Sequence, residues 1–182
     1  VALAPALRIL PAMAATSLVQ TSEKRILMGT IVGMTVMTSS SVQGQEAVGQ
    51  AYEEVERLIG ILSRFDATTP LSVLNAQGRI NGSPRELLHV VEHGQKLNRQ
   101  SGGRFDITVT PVVNLMERTL GKPDARELRE ALALVDASRL SLGGSDLKFA
   151  ASGMSATLDG IAKGYIADCA SEALKKVGVE HF

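Results

Sequence analysis

Between Gln45 and Leu62, apolar residues recur at Val48, Ala51, Tyr52, Val55, Leu58, Ile59 and Leu62. Intervals of three and four place them on one stripe of a helix several turns long, which must be covered by the rest of the fold. A second stripe runs from Ile161 to Val177 through Ala162, Tyr165, Ile166, Cys169, Ala170, Ala173 and Leu174, with Gly178 placed to end that helix. At 182 residues, with 45% apolar and 21% charged side chains, the chain can form one globular domain with a sizeable core.

Other segments have a different period. Ile26 to Thr38 alternates small or apolar with polar residues around Gly29 and Gly33, which predicts a strand or hairpin. Ser63 to Arg79 reads as a loop, with Thr68-Thr69-Pro70 as breakers. Ser83-Pro84-Arg85-Glu86 has the form of a capping box and opens a helix to about Gln100, stopped by Gly102-Gly103. Arg104 to Thr110 alternates as a strand, with Phe105, Ile107 and Val109 on one face and Asp106 and Thr108 on the other. Pro111 starts a short helix to Leu120, and Asp124-Ala125-Arg126-Glu127 caps another to about Val135. Leu140 to Leu158 suggests two short strands around Ser152-Gly153, and Val177 to Phe182 leaves the last helix for a further strand. Strands and helices mixed without regular βαβ alternation indicate an α+β fold.

Nineteen basic and nineteen acidic residues give no net charge, so nothing drives phosphate-backbone binding and no nucleic-acid partner is expected. Six aromatic residues and no Trp make an aromatic stacking platform improbable. Cys169 stands alone, with no partner for a disulfide, and is expected to be a small buried residue. The chain reads as cut at both ends. Val1 to Ala15 is rich in Ala and Leu, is broken by Pro5 and Pro11, and offers Ala12-Met13-Ala14 as a cleavage candidate. Residues 1–22 are therefore expected to be a signal-peptide remnant or a disordered start, with residues 23–182 as the domain. An exported, periplasmic location follows from the first of these readings.

Three constellations could carry chemistry. His89-Val90-Val91-Glu92-His93 matches the H-x-x-E-H spacing of inverted zinc peptidases. On a helical wheel, however, Arg85, His89, Glu92, His93, Lys96 and Gln100 form one polar stripe, which a solvated face explains without a metal. In Ser101-Gly102-Gly103-Arg104-Phe105-Asp106-Ile107-Thr108, the glycines either let backbone N–H groups approach a phosphate or simply stop a helix. In Leu158-Asp159-Gly160-Ile161-Ala162-Lys163-Gly164-Tyr165, a helix N-terminus with glycines and a lysine suits an anion, but it is not a Walker loop.

Taken in order, five segments resemble the ApbE family of flavin transferases. They are Met28-Gly29-Thr30, Leu62-Ser63-Arg64-Phe65, Leu71-Ser72-Val73-Leu74-Asn75, Ser101 through Pro111, and Leu158 through Asp168. The resemblance covers about Ile26 to Phe182 and implies an ApbE-like α+β domain whose C-terminal part is missing. It also implies Mg²⁺-dependent transfer of FMN from FAD to a Ser or Thr hydroxyl of a redox protein, with release of AMP. The acceptor would be a flavin-accepting redox protein, with a subunit of a membrane complex as one candidate. Two variants remain open: an FAD pyrophosphatase giving FMN and AMP, and a non-catalytic FAD-binding protein.

Position by position, the resemblance implies that Met28 lines the flavin site and that Phe65 stacks on the isoalloxazine ring. Gly103, Arg104 and Phe105 would contact FAD, the Gly160 carbonyl would reach Mg²⁺, and Lys163 would lie near the cofactor. Thr157 takes a cofactor-binding position where many members have Asp, with Asp159 nearby to share that role, and Met116 replaces a common Trp. The family's Gly-Gly-Asp and His segments and its Asp and Thr metal ligands are expected beyond Phe182. The catalytic residues are therefore unassigned here, and the fragment alone is expected to be inactive.

Overall fold

The computed structural model describes residues 17–182. The export-signal reading rests on residues 1–15, which lie outside the described residues. Strand β1 (Val19–Leu27) already begins within the segment read as 1–22. It pairs antiparallel with β2 (Thr30–Thr38), and Met28 and Gly29 form the two-residue turn with φ of 53° and 69°. Two successive left-handed residues give a turn whose twist matches that of a hairpin, and the expected hairpin is present.

Helix α1 (Ser41–Leu62) crosses the inner face of this hairpin. Six of its seven stripe residues are buried, and Ile59 is partly so. Gly44 is required where α1 crosses the strands, because a Cβ there would collide with the Thr21 side chain. The Tyr52 hydroxyl shares its one proton between the carbonyls of Val32 (2.9 Å) and Glu23 (3.0 Å), fixing the helix to both strands. Helix α6 (Ala162–Lys176) lies against α1 and buries Ala162, Ile166, Ala170 and Leu174. Beyond α6, Met37 and His181 form a single antiparallel bridge, so the chain returns to β2.

The segment read as a loop from Ser63 to Arg79 contains helix α2 (Pro70–Gln77) and the start of β3 (Arg79–Ile80). Thr69 and Pro70 are not breakers here. The Thr69 hydroxyl caps the amide of Ser72, and Pro70 occupies the first turn, where its missing N–H is harmless. Helix α3 (Arg85–Gln100) has the predicted span but no capping box. Pro84 is its N-cap, and the Ser83 hydroxyl is buried without a partner while its amide donates to Ser145. Gly102 and Gly103 do stop the helix, with φ of 62° and 81°.

The predicted strand from Arg104 to Thr110 does not form; this stretch is a chain of turns leading into α4 (Thr110–Arg118). Helix α5 (Ala125–Leu132) follows, capped by Asp124 through the amides of Arg126 and Glu127. A short 3₁₀ turn leads into β4 (Leu140–Gly143), which is joined to β5 (Asp146–Phe149) through Gly144-Ser145 rather than around Ser152-Gly153. The strands β3-β5-β4 form a small antiparallel sheet, which makes the fold α+β. Among the described residues no helix is long and apolar enough to cross a membrane.

Arg57 pairs at 2.7 Å with Glu54 of its own helix and with Glu86 of α3, so the second pair links α1 to α3. Arg57 holds the Glu54 carboxyl below its ordinary range, and the Glu86 carboxyl is lowered by its own backbone amide and then by Arg57. A lowered folded pKa stabilises above the unfolded value, and that stability is lost as pH falls through the folded value. Stability is therefore expected to hold from pH 7 to about 5 and to decline below about pH 4.3. Arg57→Met should flatten that decline, by no more than about 1 kcal/mol because the guanidinium is half exposed. Urea unfolding at a series of pH values measures it.

Candidate functional site

The turn Thr157–Gly160, just before α6, separates two cavities. The first, about 560 Å³, lies between the hairpin tip (Met28, Gly29), the end of α1 (Ile59, Leu62), Phe65, Asp159 and the first turns of α6 (Ala162, Lys163, Ile166). The second, about 310 Å³, is lined by Gly103, Arg104, Phe105, Asp106, Ile107, Val109, Val135, Thr157 and Gly160. All eight residues singled out from the sequence thus fall on this one pair of cavities: Met28, Phe65 and Lys163 on the first, and Gly103, Arg104, Phe105, Thr157 and Gly160 on the second. Met28 and Lys163 also border an apolar groove of about 360 Å³ between β2 and α6. A roomier hollow of about 730 Å³ beside Glu53, Arg57 and Lys176 is shallow and charged, and holds none of the eight.

Local sequence explains how each residue is presented. Met28 has a left-handed backbone, a conformation that favours Gly or Asn, so its side chain is kept at the tip against a local backbone cost. Phe65 follows the end of α1 and is 76% exposed, with one ring face against the Arg64 guanidinium at 4.3 Å. Gly160 is small because Phe105 packs over it; a Cβ would come within 3.2 Å of the ring. Among the described residues the Gly160 carbonyl accepts no hydrogen bond. Thr157 donates its amide to Ile107 (2.8 Å), and its hydroxyl accepts from the Asp159 amide (3.1 Å), which shapes the turn. The N-terminus of α6 has no side-chain cap, and the Ala162 amide donates to the Leu158 carbonyl (2.7 Å) in the turn that precedes it.

Three residues that the sequence reading gave no role hold this arrangement. Asn75 on α2 pairs with Ala156 through both amide atoms, accepting from its N–H (2.7 Å) and donating to its carbonyl (2.8 Å). Asn98 donates to the Phe105 carbonyl (2.9 Å) and to Asp106 (3.0 Å). Asp106 accepts from the amide and hydroxyl of Thr108 (2.7 and 2.6 Å) and from the Ala137 amide (2.9 Å). This is why the predicted strand fails: Asp106 and Thr108 turn inward, and Thr108 is 0% exposed. An Asp two residues before a Thr in a glycine-led stretch is itself an Asx-turn signal.

The other candidate separates from the site. His89, Glu92 and His93 lie on the exposed face of α3 with Arg85, Lys96 and Gln100. His89 packs against the Tyr165 ring at 5.4 Å, and among the described residues no group of three His, Cys, Asp or Glu converges to hold a metal. Cys169 is half-buried beside Tyr165; burial raises its thiol pKa, and the Tyr165 phenol is pushed up to about 12, chiefly by burial.

Residues 28–182 match the ApbE family. The FAD:protein FMN transferase of Buchnera aphidicola subsp. Schizaphis graminum (strain Sg) is 24% identical over 139 residues, which are 71% of this chain and 41% of that protein. The fold resembles the apo crystal structure of the Pseudomonas stutzeri flavinyl transferase ApbE, with a TM-score of 0.79 and 24% identity, over 92% of this chain and 53% of that one. It also resembles the flavin transferase ApbE from Vibrio cholerae, with a TM-score of 0.76 and 24% identity, over 90% and 55% of the two chains. The chain spans about half the length of the relatives it matches.

The Asp106 carboxylate accepts four hydrogen bonds from three segments. Asp106→Ala is expected to destabilise the fold by roughly 3 kcal/mol or more, since bonds to a charged acceptor are the strong ones and three buried donors lose their partner. Chemical denaturation against the wild type checks this.

Proposed function

The chain belongs to the ApbE family, and on that premise we propose that the whole protein transfers FMN from FAD to a Ser or Thr hydroxyl of a redox protein. What supports the reading is convergence: residues spread from Met28 to Lys163 meet at one pair of cavities flanking one turn. The first cavity, lined by Met28, Ile59, Leu62 and Phe65, is apolar enough for an isoalloxazine ring. The second, with Arg104 and an open glycine-rich loop, suits the diphosphate and the nucleoside beyond it. Arg104 and Lys163 make no ion pair among the described residues, so both cations remain available to an anion.

The acceptor hydroxyl attacks the FMN phosphorus, the P–O bond to the AMP moiety breaks, AMP leaves, and the hydroxyl proton passes to solvent or a base. Phe65 and Met28 would hold the ring, while Arg104, Lys163 and the α6 N-terminus would place the phosphates in line. When bound, Mg²⁺ supplies charge neutralisation and polarisation of the diphosphate. The described residues offer it the unengaged Gly160 carbonyl. The Ala- and Leu-rich start of the sequence supports an exported location, where a subunit of a membrane redox complex would be a suitable acceptor.

Incubation of the whole protein with FAD, Mg²⁺ and a Thr-bearing acceptor is expected to give covalent flavin and free AMP in equal amounts. Free FMN with AMP would identify a hydrolase, and FAD recovered intact would identify a binding protein. Chelating Mg²⁺ should stop AMP release. Phe65→Ala is expected to weaken FAD binding by about fivefold or more, the roughly 1 kcal/mol of an aromatic stacking pair, as measured by equilibrium titration.

A further inference from the structure

Arg64 lines neither cavity but contacts Phe65 and Asp159, which both line the first. Its side chain is only 14% exposed. The Nε donates to Asp159 at 2.8 Å, a terminal nitrogen reaches Glu117 of α4 at 3.6 Å, and the flat face covers the Phe65 ring at 4.3 Å. Two carboxylates and an aromatic ring thus occupy the guanidinium, which excludes Arg64 as a free phosphate clamp of the kind Arg104 can be. Phe65 itself follows a helix end and is mostly exposed, so little else packs on its ring. Asp159, held by the same guanidinium, leads directly into Gly160.

We propose that Arg64 is a positioning residue that presents Phe65 to the flavin and holds the Asp159–Gly160 turn beside it. This rests on the reading of Phe65 as the ring-stacking residue. A planar guanidinium can hold a carboxylate edge-on and an aromatic ring face-on at once; a lysine can keep the first contact but not the second geometry. Arg64 therefore couples the ring site to the phosphate site: moving it shifts both walls together, while Phe65 alone shifts one.

The test is FAD titration of the whole protein, read by quenching of flavin fluorescence and by the shift of its visible absorption, in wild type, Arg64→Met, Arg64→Lys, Phe65→Ala and the Arg64→Met/Phe65→Ala double variant. Arg64→Met is expected to weaken FAD about three- to tenfold and to reduce the quenching on saturation. Arg64→Lys should recover much of the affinity but not the quenching. The double variant should lose less than the product of the two single losses. Wild-type affinity and spectrum in Arg64→Met, or strictly multiplicative losses in the double variant, would overturn the proposal while leaving the flavin reading in place. Absence of FAD binding by the wild type would overturn both. If Arg64→Met does not fold, Asp159→Asn, which removes the anchoring charge while keeping the side chain's size, should reproduce the loss of quenching; unchanged quenching there would sink the proposal.

Discussion

The site depends on side chains that satisfy buried backbone where no β-ladder exists. The loop from Ser101 to Val109 and the segment from Ala150 to Ile161 carry five of the eight site residues, yet neither lies in a helix or a strand. Backbone amides and carbonyls in such segments must still find partners once buried. Asn75 supplies a donor and an acceptor to Ala156, Asn98 takes the Phe105 carbonyl, Asp106 gathers the Thr108 and Ala137 amides, and one bond from Thr157 to Ile107 ties the two segments together. A part-buried polar network of this kind favours one geometry, because a shift leaves a donor or acceptor unpaired. Loops held this way can present free groups to a ligand without collapsing onto it.

The apolar framework sets where those loops stand. The α1 stripe is covered on one side by the hairpin and on the other by α6, so the end of α1, the hairpin tip and the start of α6 converge at one corner. That corner is the first cavity. Its depth follows from the register of the hairpin: Leu27 pairs with Thr30, which puts Met28 at the apex. Gly94 on α3 makes the corresponding close approach for the second cavity, since a Cβ there would come within 2.7 Å of Ile107, the residue that receives the Thr157 amide.

What was legible in the sequence was whatever repeats. The stripes from Val48 to Leu62 and from Ile161 to Val177, the hairpin, and the helices after Pro84, Pro111 and Asp124 all carry a period or a cap within a few residues, and each is present. What failed was local alternation without a partner. Phe105-Asp106-Ile107-Thr108-Val109 alternates like a strand, but Asp106 and Thr108 form their bonds within the turn and with residues about 30 positions away. Thr69-Pro70 reads equally well as a stop or as a start, and only the packing of Leu71 and Leu74 decides for a helix. The site residues came from likeness to a family, and the structure brings them to one place. Arg64, Asn75 and Asn98 were not legible as parts of the site. Arg64 and Asn75 have partners 81 to 95 residues away, and Asn98 lies outside the five segments that carry the resemblance.

Charge placement turns these elements into a site that can take an anion. Asp159 is the acidic side chain on the first cavity's lining, and Arg64 neutralises it. Thr157 is uncharged, so the turn gains no second negative charge, and the Thr157 hydroxyl accepts the Asp159 amide. Asp106, on the second cavity, spends its carboxylate on four hydrogen bonds from within the fold. The acidic groups are thus engaged from inside, whereas Arg104 and Lys163 make no ion pair among the described residues and the N-terminus of α6 has no side-chain cap. In a chain with no net charge, that local imbalance favours an anion beside the turn that separates the two cavities. It also gives Arg64 a part in the first cavity's charge, because without it the Asp159 carboxylate would face that cavity unneutralised.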